Sequence, residues 1–265
     1  MTSFESVQGP ATPPQASALN HDSGLKSGAE ETIHIDASSS APVLVPLYLQ
    51  QTYWWAYLHP TAVRFFERQW LVNLILWGNF AELRDQALTE LEPFCNGRLL
   101  QVACVYGNFT ERLAQRLGPE GRLDVVDVAQ VQLDNLQTKL GGAAAQISLH
   151  HQDSTHLHFA DASFDCAVVF FLLHEQPEDV RIQTMAQAWR VVKPGGKVIF
   201  VDYHGPNWVN PFRYVMTPIL KILEPFAMDL WRKDLVDWLP EEARQAVIDK
   251  QTFFGGLYQK VVITR

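Results

Sequence analysis

Leu100-Gln101-Val102-Ala103-Cys104-Val105-Tyr106-Gly107-Asn108-Phe109 reads as a strand that turns sharply into a helix. In nucleotide-binding α/β folds such a turn carries three spaced glycines, because the backbone must bend and approach the ligand closely. Here the three positions hold Ala103, Val105 and Gly107. Around this loop, strand patterns over 99–104, 123–128, 147–150, 165–172 and 197–202 alternate with helical patterns over 110–117, 130–140 and 178–192. That spacing predicts parallel βαβ units with right-handed crossovers. Near the end, Gly255-Gly256 separates strand patterns at 252–254 and 258–264, the signature of a hairpin. The expected fold is α/β: a doubly wound, Rossmann-like sheet finished by an antiparallel strand.

The chain has 265 residues, 47% hydrophobic and 19% charged, which is enough for one core with extensions. Its net charge of -8 and the lack of a basic stripe argue against nucleic acid as a partner. Cys95, Cys104 and Cys166 are odd in number and two lie in apolar runs, so they read as buried thiols in a reducing compartment. Residues 1–45 carry five acids against Lys26, no Arg, and much Ser, Ala and Pro. They read as a disordered acidic tail with neither a secretory nor a transit-peptide pattern. The longest apolar stretch, 70–77, is interrupted by Asn73, and no membrane-spanning helix is expected.

Residues 46–97 form an aromatic helical segment, with one helix expected over 61–77 and another over 80–91. The domain proper spans 98–265 and contains an insertion at 203–240 rich in aromatics and prolines, including Trp208, Phe212, Tyr214 and Trp231. It reads as a helical cap and as an apolar entrance for a greasy substrate, two compatible roles.

Several residues carry chemistry. Asp127 ends the second strand about 20 residues after the loop, where a carboxylate accepts both ribose hydroxyls of a nucleoside. Asp153 and Ser154 follow the third strand, where an acid usually meets an adenine amino group. His174 and Glu175 follow the fourth strand, and Asp202 and His204 end the fifth. Two neighbouring strand ends thus offer imidazoles and carboxylates, either to bind a divalent metal or to serve as acid–base pairs. His150, His151, His156 and His158 read as mainly solvent-facing. The Lys193-Pro194-Gly195-Gly196 turn strongly resembles that of class I S-adenosylmethionine (SAM)-dependent methyltransferases, and argues against an NAD dehydrogenase.

A closer likeness lies in four segments. Tyr53-Trp54-Trp55-Ala56-Tyr57-Leu58-His59-Pro60, the stretch from Trp70 to Asn79, Val105-Tyr106-Gly107, and Phe170-Phe171-Leu172-Leu173-His174-Glu175-Gln176-Pro177 together resemble the rhodoquinone biosynthesis methyltransferase-like family, RquA. The likeness runs from about Val45 to the C-terminus. It implies conversion of ubiquinone to rhodoquinone, a ring methoxy group giving way to an amino group donated by SAM, with manganese (Mn2+) associated. It places Gln101 where an acid usually holds the SAM ammonium, and Val105 and Tyr106 where the methionine part usually crosses bare backbone. On this reading Gln101, Ala103, Val105, Gly107, Asp127, Asp153 and Ser154 bind SAM. His174, Glu175, Asp202 and His204 hold the metal, and His174, Glu175 and His204 also act in catalysis. Tyr106 either orients a reactant through its hydroxyl or packs.

A lipid substrate implies a cytoplasmic protein of a bacterium, peripherally associated with the inner membrane. Two other functions remain open from the residues: a conventional SAM-dependent methyltransferase acting on a quinone or lipid-like phenol, and a non-catalytic SAM-fold assembly partner.

Overall fold

The computed structural model describes residues 34–35, 43–141 and 145–265; the expected disorder over 1–45 falls almost wholly outside them. Among the described residues, eight strands form one sheet in the order β1-β4-β3-β2-β5-β6-β8-β7. Their bounds are β1 His34–Ile35, β2 Arg98–Val102, β3 Arg122–Asp127, β4 Ile147–His151, β5 Phe164–Phe170, β6 Val192–Tyr203, β7 Val247–Phe253 and β8 Tyr258–Thr264. Neighbouring pairs are parallel from β1 to β6, and β8 runs antiparallel to both β6 and β7. Leu99, Leu100, Val102, Val125, Val168 and Ile199 are fully or almost fully buried. Such burial of consecutive residues, mostly apolar, is what a sheet covered on both faces requires. The doubly wound architecture with its terminal hairpin agrees with the sequence expectation.

Two boundaries differ for physical reasons. β6 begins before the Lys-Pro-Gly-Gly turn rather than after it. Gly195, at φ +82°, donates its N–H to Arg265 O at 2.6 Å, and Arg265 N–H returns to Gly196 O at 2.9 Å. A Cβ on Gly196 would lie 2.5 Å from Asp165 O, so only glycine lets the chain pass there. The second difference is that the helix expected over 61–77 is broken into α3 (Pro60–Phe66) and α4 (Gln69–Ile75). At the break, the Glu67 carboxylate accepts from Gly107 N at 3.1 Å, from Asn135 Nδ2 at 2.8 Å, and from Lys139 Nζ. These tertiary bonds outweigh the local helical period. The next helix, α5 (Phe80–Leu91), has the expected bounds.

The insertion forms α9 (Phe212–Leu223) followed by 3-10 turns at Pro225–Trp231 and Leu235–Trp238. It is fastened by Arg181 of α8 (Glu178–Val191), a fully buried guanidinium. Its Nε donates to Leu173 O at 2.9 Å, while Nη2 donates to Gln176 O at 2.8 Å and to Phe226 O at 3.0 Å. The cation also stacks on Trp238, 4.5 Å from the ring centroid. Arg181→Met strands three buried carbonyls, and should lower the unfolding free energy by about 3 kcal/mol in urea denaturation.

Candidate active site

The carboxyl ends of β2, β3, β5 and β6 lie side by side, with Val102 in register with both Val126 and Val169. Ligands bind beyond such ends in open α/β sheets, and a cavity of about 620 Å3 sits there. It has a polar wall from the strand ends and an apolar wall from α4 and α9.

The loop after β2 keeps a glycine's backbone without the glycine. Ala103 holds φ +72°, which costs a residue with a Cβ on the order of 1 kcal/mol. Gly107, at φ +81°, has no such freedom to change, since a Cβ would lie 2.8 Å from Phe80 Cζ. Ala103 and Val105 line the cavity, whereas Gln101 and Gly107 lie behind it. Gln101 is fully buried, its Nε2 donating to Ala103 O at 3.0 Å and its Oε1 accepting from Thr110 Oγ1 at 3.0 Å. Its amide is therefore spent on holding the loop.

Tyr106 lines the cavity with its hydroxyl already engaged. It donates to Ala56 O at 2.6 Å and accepts from Gln132 Nε2 at 2.9 Å. Its ring stacks on Tyr57 with centroids 5.5 Å apart. Of its two expected roles, packing is the one these bonds serve.

Asp127 stands ready for a nucleoside. Its Oδ1 accepts from Ala129 N and its Oδ2 from Cys104 N, both at 2.8 Å, which fixes the carboxylate while leaving each oxygen a lone pair. Burial pushes its pKa up to about 6, against the pull of those two N–H groups. Asp153 and Ser154 line the same wall, the former braced by Thr155 through N–H and Oγ1 at 2.8 Å each. Ser154 Oγ is shared with Thr184 Oγ1 at 2.8 Å. The residues fit the nucleoside end of SAM: two carboxylates stand on one wall of the cavity with lone pairs left to accept hydrogen bonds.

His174 and Glu175 occupy the 3-10 turn Leu173–Glu175 after β5 and face the cavity. Asp202 lies behind them. Its Oδ2 accepts from Leu173 N at 2.8 Å and His174 N at 3.3 Å; its Oδ1 takes Tyr203 N at 2.7 Å and His174 Nδ1 at 2.9 Å. Burial disfavours the charged imidazole, yet Asp202 more than offsets this and His174 is pushed up to about 9. Burial also pushes Glu175 up to about 8, with the His174 imidazole, 3.7 Å away, opposing it.

A second carboxyl, Glu224 at the C-terminus of α9, also lines the cavity. Burial raises its pKa, as does Asp202, while His174 lowers it, and among the described residues its Oε2 has no hydrogen-bond partner. Its only trace in the sequence is an acid standing alone between Leu223 and Pro225 in an otherwise apolar stretch.

His204 is not part of this group. Its N–H bonds Leu257 O and its Nδ1 faces Gly256 O, both at 2.8 Å, so the hairpin turn draws it away from the cavity. The expected metal set of His174, Glu175, Asp202 and His204 therefore does not converge. Asp202's oxygens are filled by four donors, and among the described residues no three His, Cys, Asp or Glu stand in a metal-binding arrangement. These residues do not fit a manganese ion. The expectation for His150 also changes: it is buried against Asp124, with Nε2 2.6 Å from Oδ1.

Residues 99–196 match a family described as a methyltransferase domain. Demethylmenaquinone methyltransferase of Bacillus velezensis is 29% identical over 65% of this chain and 74% of its own length. That of Lactobacillus johnsonii is 32% identical over 52% and 56% respectively. A SAM-dependent methyltransferase structure from Aquifex aeolicus superposes with a TM-score of 0.50 at 15% identity, covering 78% of this chain and 98% of its own. The fold is the class I SAM-dependent methyltransferase fold, and the likenesses support an enzyme of that type.

The proton balance of Glu175 has a measurable consequence. Its folded pKa, about 8, lies above the ordinary 4.5, so the folded chain holds a proton that the unfolded chain releases. This contribution favours folding at low pH and fades as pH rises through about 8. Glu175→Gln should therefore raise the melting temperature at about pH 8 and change it little at about pH 4, read by scanning calorimetry.

Proposed function

We propose that this chain is a SAM-dependent methyltransferase acting on the ring of a lipid quinol or a lipid-like phenol. One observation carries the reading. A single cavity joins a nucleoside-binding wall at Asp127 and Asp153, an acid–base group at His174, Glu175 and Glu224, and an apolar end at Leu74, Ile219 and Leu223. The names of the two demethylmenaquinone relatives support a quinone-type substrate.

SAM, when bound, supplies an electrophilic methyl group. The chain's own residues handle the rest. Asp127 accepts the ribose hydroxyls and Asp153 the adenine amino group. Asp202 holds the His174 ring by Nδ1, leaving Nε2 on the side of Glu175. The Glu175 carboxylate takes the proton of a ring hydroxyl, which raises the electron density of the ring before transfer. The imidazolium of His174 stabilises the charge formed.

A second reading, amino transfer from SAM to ubiquinone, rests on Gln101. With a neutral, fully committed amide beneath the loop, no carboxylate there favours the protonated amine of SAM, so its neutral, nucleophilic form is more accessible. The amine would add to the ring carbon as methoxide leaves as methanol; tautomerisation of the adduct to the imine of the reduced ring, then its hydrolysis, would break the N–Cα bond and leave an aminoquinol and a 2-oxo acid. In either case the exposed Trp54, Trp70, Leu74 and Ile222 support peripheral contact with a membrane; that this is the inner membrane, met from the cytoplasmic side, is part of the proposal. No helix among the described residues is long and apolar enough to cross a membrane.

Purified chain incubated with SAM and reduced demethylmenaquinone should give a methylated ring and S-adenosylhomocysteine by mass spectrometry; a short-chain ubiquinone, whose ring carbons are all substituted, is the substrate that tests the second reading. Exchange of methoxy for amino, with nitrogen from labelled SAM, would replace the first reading by the second. No product from either ring would sink both. Activity should rise with pH through about 8 as Glu175 ionises, and Glu175→Gln should remove that limb.

A further inference from the structure

The apolar end of the cavity does not stop at its wall. Trp77 closes it, with its Nε1–H pointing at Met216 Sδ, 3.0 Å away, and its ring edge-on to Phe212 at 4.8 Å. On the far side lies a second hollow of about 380 Å3, lined by Trp70, Asn73, Leu74, Trp77, Gly78 and Phe212. The two share Leu74 and Trp77 as walls, and among the described residues no charged one lines the second.

Trp77 is held in this dividing position at a cost. It has φ +53° and precedes Gly78 at φ +81°, so a bulky residue sits in the left-handed region that normally favours glycine. Asn79 sustains the turn, its Nδ2 donating to Leu76 O and Trp77 O at 3.0 Å each. Along the route outward, Trp70, Leu74, Ile75, Ile219 and Leu223 are all substantially exposed. Two helices thus turn apolar faces to a path that begins inside the catalytic cavity.

We infer that the seam between α4 and α9, from Leu74 past Trp77 to the groove at Trp70 and Phe212, binds the aliphatic or isoprenoid chain of the substrate while its ring sits beside Glu175. The inference rests on the reading of the cavity as a site for a lipid-borne ring, and it adds where the chain goes. Adjacency to the main cavity across the wall of Leu74 and Trp77 names the occupant: a substrate with its ring at Glu175 and a chain that passes over Trp77 reaches both hollows. An uncharged, aromatic groove suits a hydrocarbon chain and offers a polar tail no compensation for its lost hydration. Trp77 then acts as a positioning residue, the edge over which the chain bends.

The test compares one quinone ring without a side chain and the same ring bearing a two-isoprene chain, both reduced and supplied with SAM. Trp70→Asp, and separately Asn73→Trp to fill the groove, should raise KM for the chained ring relative to the chainless ring by about tenfold, the scale of a few lost methylene contacts. An equal change for both rings, or no change for either, would overturn the groove as a chain site. A chained ring bound no better than the chainless one by the unaltered protein would overturn it as well. If the unaltered protein turned over neither ring, the functional reading itself would fall, and this inference with it.

Discussion

The buried carboxylate of Asp202 is the constraint on which the site depends. It sits near the end of β6 and takes four hydrogen bonds, three from backbone N–H groups and one from His174. A charge this deep is tolerable only when so fully bonded. In return it fixes the turn after β5, which has no regular partner of its own, and with it the direction of the imidazole. Glu175 is placed by the same turn, so the two proton-carrying groups owe their separation to a residue that never meets the substrate. The same bonding disqualifies Asp202 as a metal ligand, because no lone pair remains to point outward.

Much of this was legible from the chain. The central strands announced themselves as short, mostly apolar segments alternating with helical periods, since both their faces are covered. The position of Asp127 followed from the loop that precedes its strand, and His174 and Glu175 from their place directly after β5. His204 was misplaced because it stands with Asp202 at the end of the fifth strand, next to the strand end that carries His174, whereas the strand ends at Tyr203 and the next backbone N–H is captured by Leu257 O. Glu224 left almost no trace, because it reaches the cavity through the path of the cap, which no local pattern encodes. The break at Glu67 was hidden for a related reason: its cause, the Gly107 amide and the Lys139 ammonium, lies far along the sequence.

The loop after β2 shows how a backbone can outlast its glycines. Ala103 keeps the left-handed conformation because its N–H is held by Val126 O at 2.9 Å and its carbonyl by Gln101 Nε2. Loop shape is then set by buried bonds behind it, and side chains in front are free to change what the loop presents. Val105 and Tyr106 use that freedom to give the cavity a bulkier floor, with Tyr106 tying it to the N-terminal helices through Ala56.

Arg181 joins the turn that carries His174 to the cap that carries Glu224, bonding Leu173 and Gln176 on one side and Phe226 on the other. One guanidinium thus makes two surface elements into a single cooperative unit. The cap therefore does not shift by itself: a displacement of the segment after α9 pulls on the turn beneath it, so the geometry of the acid–base group reports how the cap is seated.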